Sequence, residues 1–302
     1  MKVLRWILCA IGILVMGGEV CAADQVMLKL QYPEGRIARY KNKYRLDYFS
    51  DKAEMILREG SFTMQGYGEW RSREMVVEEG DSVKVTARVD KAGSQAILTG
   101  ERLTYEQFPY TLDLLNDLSF AWGIAPGGQV GAFGPDFSAF KAKRKDMITD
   151  LRQVWMPGLA PVLPDQPVSV GDTWEGEQRI EVPFYDFDAG LEPSLVQFTS
   201  AYKLKKVKEQ KGYRVVEIEE EREVHYRIWF HIEVLSLVID GKGSGNAEWE
   251  IDIDRGLVLS HNTKIGLGLP QVRMAGDPKP IDDIKAEIEL VFSRKLDKLE
   301  KE

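Results

Sequence analysis

Along much of this chain, apolar and polar residues alternate with a period of two, the pattern of a strand with one dry face and one wet face. Tyr40, Asn42, Tyr44, Leu46 and Tyr48 alternate with Lys41, Lys43, Arg45 and Asp47, and Val83, Val85, Ala87 and Val89 alternate with Lys84, Thr86 and Arg88. In the second half, Tyr226, Ile228, Phe230, Ile232 and Val234 oppose Arg227, Trp229, His231 and Glu233. Trp249, Ile251 and Ile253 oppose Glu248, Glu250, Asp252 and Asp254, and Ile284, Ala286, Ile288, Leu290 and Phe292 oppose Lys285, Glu287 and Glu289. Turn signals fall between these runs at hairpin spacing: Glu79-Gly80-Asp81, Lys91-Ala92-Gly93, Lys211-Gly212, Asp240-Gly241 and Asp254-Arg255-Gly256. Parallel strands covered on both faces would be apolar throughout, so the pairing is expected to be antiparallel, with about a dozen strands.

One segment breaks the rhythm. From Asp136 to Trp155, Phe140, Met147, Ile148, Leu151, Val154 and Trp155 recur at helical intervals, with Lys141, Lys143, Arg144, Lys145 and Asp146 on the other side. Pro135-Asp136 supplies a start and Pro157-Gly158 a stop. A shorter helix is expected over Thr111 to Leu118. The fold class is therefore mainly β (α+β): long antiparallel strands in one or two curved, half-barrel-like sheets, with one main amphipathic helix near 136–156.

After the helix, Pro157, Pro161, Pro164 and Pro167 hold the backbone extended and exclude it from the middle of a sheet. Within LPDQPVSVGDTW, Gly171 permits an unusual backbone angle, Asp172 bonds back to main-chain amides and Trp174 anchors the next strand with a buried ring. The stretch reads as a structural joint between a first β lobe with the helix (23–160) and a second β lobe (161–302), or within one continuous domain.

The first residues, MKVLRWILCAIGILVMGGEVCAADQ, carry Lys2 and Arg5, an apolar run and small residues, which is a secretory signal peptide over 1–22, cleaved after Ala22 or Ala23. The run is too short to span a bilayer, so no transmembrane anchor is expected after cleavage. Cys21 lacks the leucine three residues before it and the small residue just before it that lipidation uses, so anchoring through Cys21 is not expected and the location is periplasmic or secreted. Both cysteines, Cys9 and Cys21, lie in or at the edge of this segment, which leaves no disulfide or Cys-ligated metal site. Losing Lys2, Arg5 and Glu19 removes a net +1 and takes the formal charge from -8 to -9. An acidic exported chain has no electrostatic reason to seek nucleic acid, and the cluster Lys203, Lys205, Lys206, Lys208 and Lys211 reads as a solvated hairpin end.

Candidate chemistry is sparse. His225 and His231 stand six residues apart on one strand, near 20 Å, too far to share a metal, and His261 reads as an exposed strand residue. There is no G-x-S-x-G elbow, H-E-x-x-H helix or Gly-Lys-Ser/Thr loop. Asp186 with Asp188, and Asp252 with Asp254, have the spacing for a calcium site or an acid/base pair, but neither offers a compact run of six oxygens, so both read as wet faces or turns. Gly241-Lys-Gly-Ser-Gly245 lies between alternating runs and reads as a hairpin or bulge. No cofactor, no metal and no enzymatic activity is expected.

A helix about 10 Å wide cannot roof a dozen strands spanning near 58 Å, so the dry face must curl on itself, meet a second sheet or hold a guest. The ligand-binding residues chosen on that basis are Phe140, Ile148 and Leu151 of the helix with Ile228, Phe230, Trp249 and Ile251. LPDQPVSVGDTW, the preceding helix and GNAEWEIDIDRGLVLS together resemble an exported bacterial family of unknown function with two β-rich lobes joined by a V-x-V-G-D-T-W element. Long strands with a helix at the mouth are also similar in architecture to periplasmic half-barrel lipoprotein carriers. Together these imply a non-enzymatic periplasmic protein that binds a lipid or another apolar small molecule. A cell-envelope structural or adaptor protein binding another protein is the alternative, and a hydrolase using Asp186 and Asp188 the third.

Overall fold

The structure, a computed structural model, describes residues 25–50, 62–79, 82–100, 104–108, 119–124, 130–135, 147–149, 160–182, 194–232, 235–274, 279 and 286–301. These contain thirteen strands: β1 (Ile37–Ser50), β2 (Phe62–Glu79), β3 (Ser82–Gly100), β4 (Thr104–Phe108), β5 (Ser119–Ile124), β6 (Val130–Pro135), β7 (Met147–Thr149), β8 (Thr173–Val182), β9 (Ser194–Gln210), β10 (Tyr213–Ile232), β11 (Leu235–Asp252), β12 (Leu257–Met274) and β13 (Ala286–Lys301). All belong to one antiparallel sheet in the order β6-β5-β3-β2-β1-β13-β12-β11-β10-β9-β8, with β4 on β3 and β7 on β10. β1 pairs with β13, Ser50 opposite Ala286 and Ile37 opposite Lys301, so the ladder joins the two ends of the chain.

The sheet is rolled but not closed. Its terminal strands β6 and β8 come within 8 Å at Cα without a hydrogen-bonded ladder between them. On the strands whose side chains are described, one face turns inward: Tyr40, Asn42 and Tyr44 on β1, Val85, Ala87 and Val89 on β3, Phe198, Ser200, Tyr202 and Leu204 on β9 are buried. The opposite positions carry cross-strand ion pairs, such as Lys205–Glu219 (2.8 Å) and Lys208 with Glu217 (2.6 Å) and Glu250 (2.8 Å). Exposed pairs of this kind add little stability each; they keep the outer face wet. The Lys211-Gly212 hairpin closes as the sequence requires, with φ of 54° and 81° at its two central residues.

Two extended segments cover part of the inner face. Residues 25–32 place Val26, Leu28 and Leu30 in the core, and residues 160–168 add Ala160, Val162, Leu163 and Val168. Val26 and Val168 exchange backbone hydrogen bonds (2.8 and 2.9 Å), and the Gln31 N–H donates to Gly256 O at 3.0 Å. Val162 lies so close to β8 that a Cβ on Gly176 would meet its side chain at 2.7 Å. Curling and these two straps do the covering for which the sequence suggested a helix.

No helix occurs among the described residues, so the main helix expected over 136–156 is not shown. Of that stretch only Met147–Thr149 is described, and it is strand, opposite Ile232, His231 and Phe230. The reason is a vacant edge: β9 pairs β10 only as far as Arg227, and beyond it β10 offers unpaired backbone groups that β7 satisfies. The rest of 136–156 and the shorter helix over 111–118 lie outside the described residues.

Two expected turns are also not turns. Lys91-Ala92-Gly93 runs inside β3 opposite Arg71, Trp70 and Glu69, with Asp90 as an extra residue, and Asp240-Gly241 sits at a register shift inside β11. Glycine marks bulges and close approaches as well as turns. At Gly243 the approach is extreme, since a Cβ there would stand 1.8 Å from Gly266 O, whereas one on Gly266 would meet nothing within 4 Å. Gly243→Ala is therefore expected to lose about 3 kcal/mol in urea unfolding, and Gly266→Ala under about 1 kcal/mol. Equal midpoints for the two variants would contradict the close β11–β12 packing.

Candidate functional site

On three strands, β9, β10 and β12, the inner face changes from apolar to polar and back. Along β10, Val216 and Ile218 belong to one buried cluster and Val224 and Tyr226 to another, with Glu220 and Arg222 buried between them. β9 repeats this with Tyr202, Ser200 and Phe198, and β12 with Val258, then His261 and Thr263, then Ile265. Glu74, Ser72, Asn42 and Arg294 are buried polar residues on β2, β1 and β13. The interior is thus crossed by a belt of charge.

Each carboxylate of the belt accepts several donors. Ser200 Oγ donates to Glu220 Oε1 (2.6 Å), while Trp249 Nε1 (2.7 Å) and Arg222 Nη2 donate to Oε2. Arg294 Nη2 donates to Glu74 Oε2 (2.7 Å) and Ser72 Oγ to Oε1 (3.3 Å), with Asn42 Nδ2 donating to Ser72 Oγ (3.1 Å). The guanidiniums also lie over aromatic faces, Arg294 over Tyr40 at 3.7 Å and Arg222 over Phe198 at 5.0 Å. Burial works against the charge on Arg294, but Glu74 and Tyr40 together outweigh it, so Arg294 is held above its usual range.

His261 occupies this belt. It is 0% exposed, not the exposed residue its sequence position suggested, and stacks on Trp249 at 3.8 Å with Phe292 at 5.8 Å. A register shift opposite Glu250 and Ile251 changes the phase of β12, which turns His261 inward. Neither ring nitrogen has a hydrogen-bond partner. Burial first, then Arg222 and Arg294, push its pKa well below the usual histidine value, so the ring is neutral.

The turn chemistry read around Gly171 is present, with the Trp174 ring half-buried. Gly171 has a φ of 100°, the Ser169 N–H donates to Asp172 Oδ2 (2.8 Å), and Trp174 Nε1 donates to Val162 O (2.9 Å) while its ring stacks on Tyr202. Asp252 and Asp254 serve the β11–β12 turn: Asp252 accepts from the Arg255 N–H (2.9 Å) and Nε (2.7 Å), and Asp254 from Arg214 Nε (2.9 Å). His225 Nε2 lies 2.7 Å from Asp240 Oδ1, and Arg227 Nε donates to Asp240 Oδ2 at 2.9 Å. Asp186 and Asp188 lie outside the described residues.

Of the seven residues chosen from sequence, the five in described strands fall at two places. Phe140 and Leu151 are outside the described residues. Ile148 in β7 stands opposite His231, next to Phe230, and Ile228 stands opposite Ile239. Trp249 and Ile251, each 1% exposed, belong to the core beside the straps, ten and twelve residues along β11 from Ile239, or roughly 33–40 Å.

No family model and no curated protein matches the sequence, so the resemblance carried by Val168–Trp174 rests on the residues alone. Among solved structures, one described as lipid–protein interactions in lipovitellin aligns with a TM-score of 0.51 at 10% identity, covering 90% of this chain and 26% of that one. The likeness is one of fold. This chain spans about a quarter of the lipovitellin chain it matches. An outer membrane channel from Pseudomonas putida F1 aligns with a TM-score of 0.20 at 9% identity over 88% of this chain and 97% of that one, too low to carry an argument. Among the described residues no helix is long and apolar enough to cross a membrane.

Proposed function

We propose that this is an exported, non-enzymatic binding protein whose rolled sheet holds a lipid or another apolar ligand at one end. The observation that carries the reading is how the core fades along β13. Phe292 is 0% exposed, whereas Leu290 and Ile288, and Leu46 opposite Leu290, pack on the same cluster but are only half-buried. An apolar mouth results at the end of the sheet where Ser50 meets Ala286 and Ile232 meets Leu235. Ile148, Ile228 and Phe230 belong to that end by register. The cavity beside Arg294 is not the ligand site: it is about 30 Å³, against the several hundred Å³ that a lipid-sized ligand needs. The signal-like leader supports export, and the fold shared with a chain studied for lipid–protein interactions supports the ligand class.

Protein purified without detergent is expected to carry lipid in native mass spectrometry, and Phe230→Asp to lower the bound fraction several-fold with little change in melting temperature. A clean apo mass together with no uptake of fluorescent fatty acid overturns the reading.

A further inference from the structure

Between β1, β2, β13 and the β11–β12 turn lies a cavity of about 30 Å³, lined by Arg36, Arg294, Glu74, Tyr32 and Tyr40 among apolar neighbours. Its charges do not balance. Arg36 and Arg294 are 6% and 3% exposed, and Glu74 is the sole carboxylate among the lining residues, so two guanidiniums and one carboxylate leave a net +1. Arg294 gives one nitrogen to Glu74, and its Nε and Nη1 have no hydrogen-bond partner. Arg36 Nη1 donates to a carbonyl, Arg255 O at 3.2 Å, and Tyr40 OH is committed to Val258 O at 3.1 Å. Tyr32 and Tyr40 soften the excess charge through their ring faces, over which Arg36 and Arg294 lie at 5.2 and 3.7 Å, but rings do not neutralise it.

We propose that this cavity is a binding site for one small monovalent anion of the halide class. The volume takes one or two water-sized occupants, which admits a bare halide and excludes sulfate, phosphate or a carboxylic acid. Water would satisfy the idle Arg294 donors. An anion satisfies them and also offsets the buried surplus charge. The site is independent of the apolar mouth, because it lies beside Gly256 and Val258 at the other end of the sheet.

The test is thermal unfolding at fixed ionic strength, with sodium gluconate replaced stepwise by chloride, bromide or sulfate. Chloride and bromide are expected to raise the melting temperature by several degrees along a saturating curve, and sulfate to do nothing. Arg36→Met, which removes the surplus charge, is expected to melt in gluconate no lower than wild type and to lose the halide response. Crystals grown in bromide are expected to show an anomalous peak beside Arg294 Nε. A flat wild-type curve, or a response equal for all three anions, means that the cavity holds water only and overturns the assignment, whether or not Arg36→Met folds.

Discussion

Glu220→Ala is expected to destabilise the protein by about 3–5 kcal/mol, read as a lower urea midpoint at unchanged slope. Glu220 collects Ser200 Oγ, Trp249 Nε1 and Arg222 Nη2 on its two oxygens, in a part of the interior where Glu220 and Arg222 are 3% and 4% exposed. Removing the carboxylate leaves a buried guanidinium without the counter-charge beside it and strips the Trp249 N–H of its acceptor. Both groups then bear their full desolvation cost. Replacing the pair together, Glu220→Leu with Arg222→Met, is expected to recover most of the loss, because a buried pair exchanged for apolar groups of similar size is close to neutral. A single-variant cost below about 1 kcal/mol would show that water reaches the belt.

Alternation made the sheet legible. Tyr40 to Tyr44, Val85 to Val89 and Trp249 to Ile251 fall on the buried face as their period implies, because a residue's face in a strand depends only on counting by two. Counting fails where a bulge adds a residue, as ahead of His261, and where glycine looks the same in a turn as in a close approach, as at Gly241 and Gly243. The helical spacing of Met147 and Ile148 gave no hint of the free β10 edge that claims them, since that edge exists only after β9 and β10 have paired. The belt left one readable trace. Ile218, Glu220, Arg222, Val224 and Tyr226 share one phase, so two charges bracketed by apolar residues had to lie on the dry face. The belt's other ion pair, Glu74 with Arg294, joins residues 220 apart that meet only through the β1–β13 and β1–β2 ladders. No local pattern carries that information.

Acid is expected to weaken the fold through His261. In the unfolded chain its pKa is about 6.5, and in the fold burial, Arg222 and Arg294 hold it well below that value. Above pH 6.5 the ring is neutral in both states and contributes no pH dependence. Below pH 6.5 the unfolded chain takes up a proton that the native ring refuses, so stability falls by up to ~1.4 kcal/mol per pH unit until the native pKa is reached. From pH 6.5 to 5 the loss is therefore at most ~2 kcal/mol. Asp240, Glu250 and Glu289, whose carboxyls are held below their ordinary values of 3.8 and 4.5, add their own loss only at lower pH, which leaves this window to histidine. His261→Leu keeps an apolar body between Trp249 and Phe292 and removes two ring nitrogens that have no partner. It is expected to be at least as stable as wild type at pH 7 and to flatten the slope between pH 6.5 and 5. A slope that survives His261→Leu would mean that the ring already accepts a proton in the native state, and that water enters the belt between the two arginines.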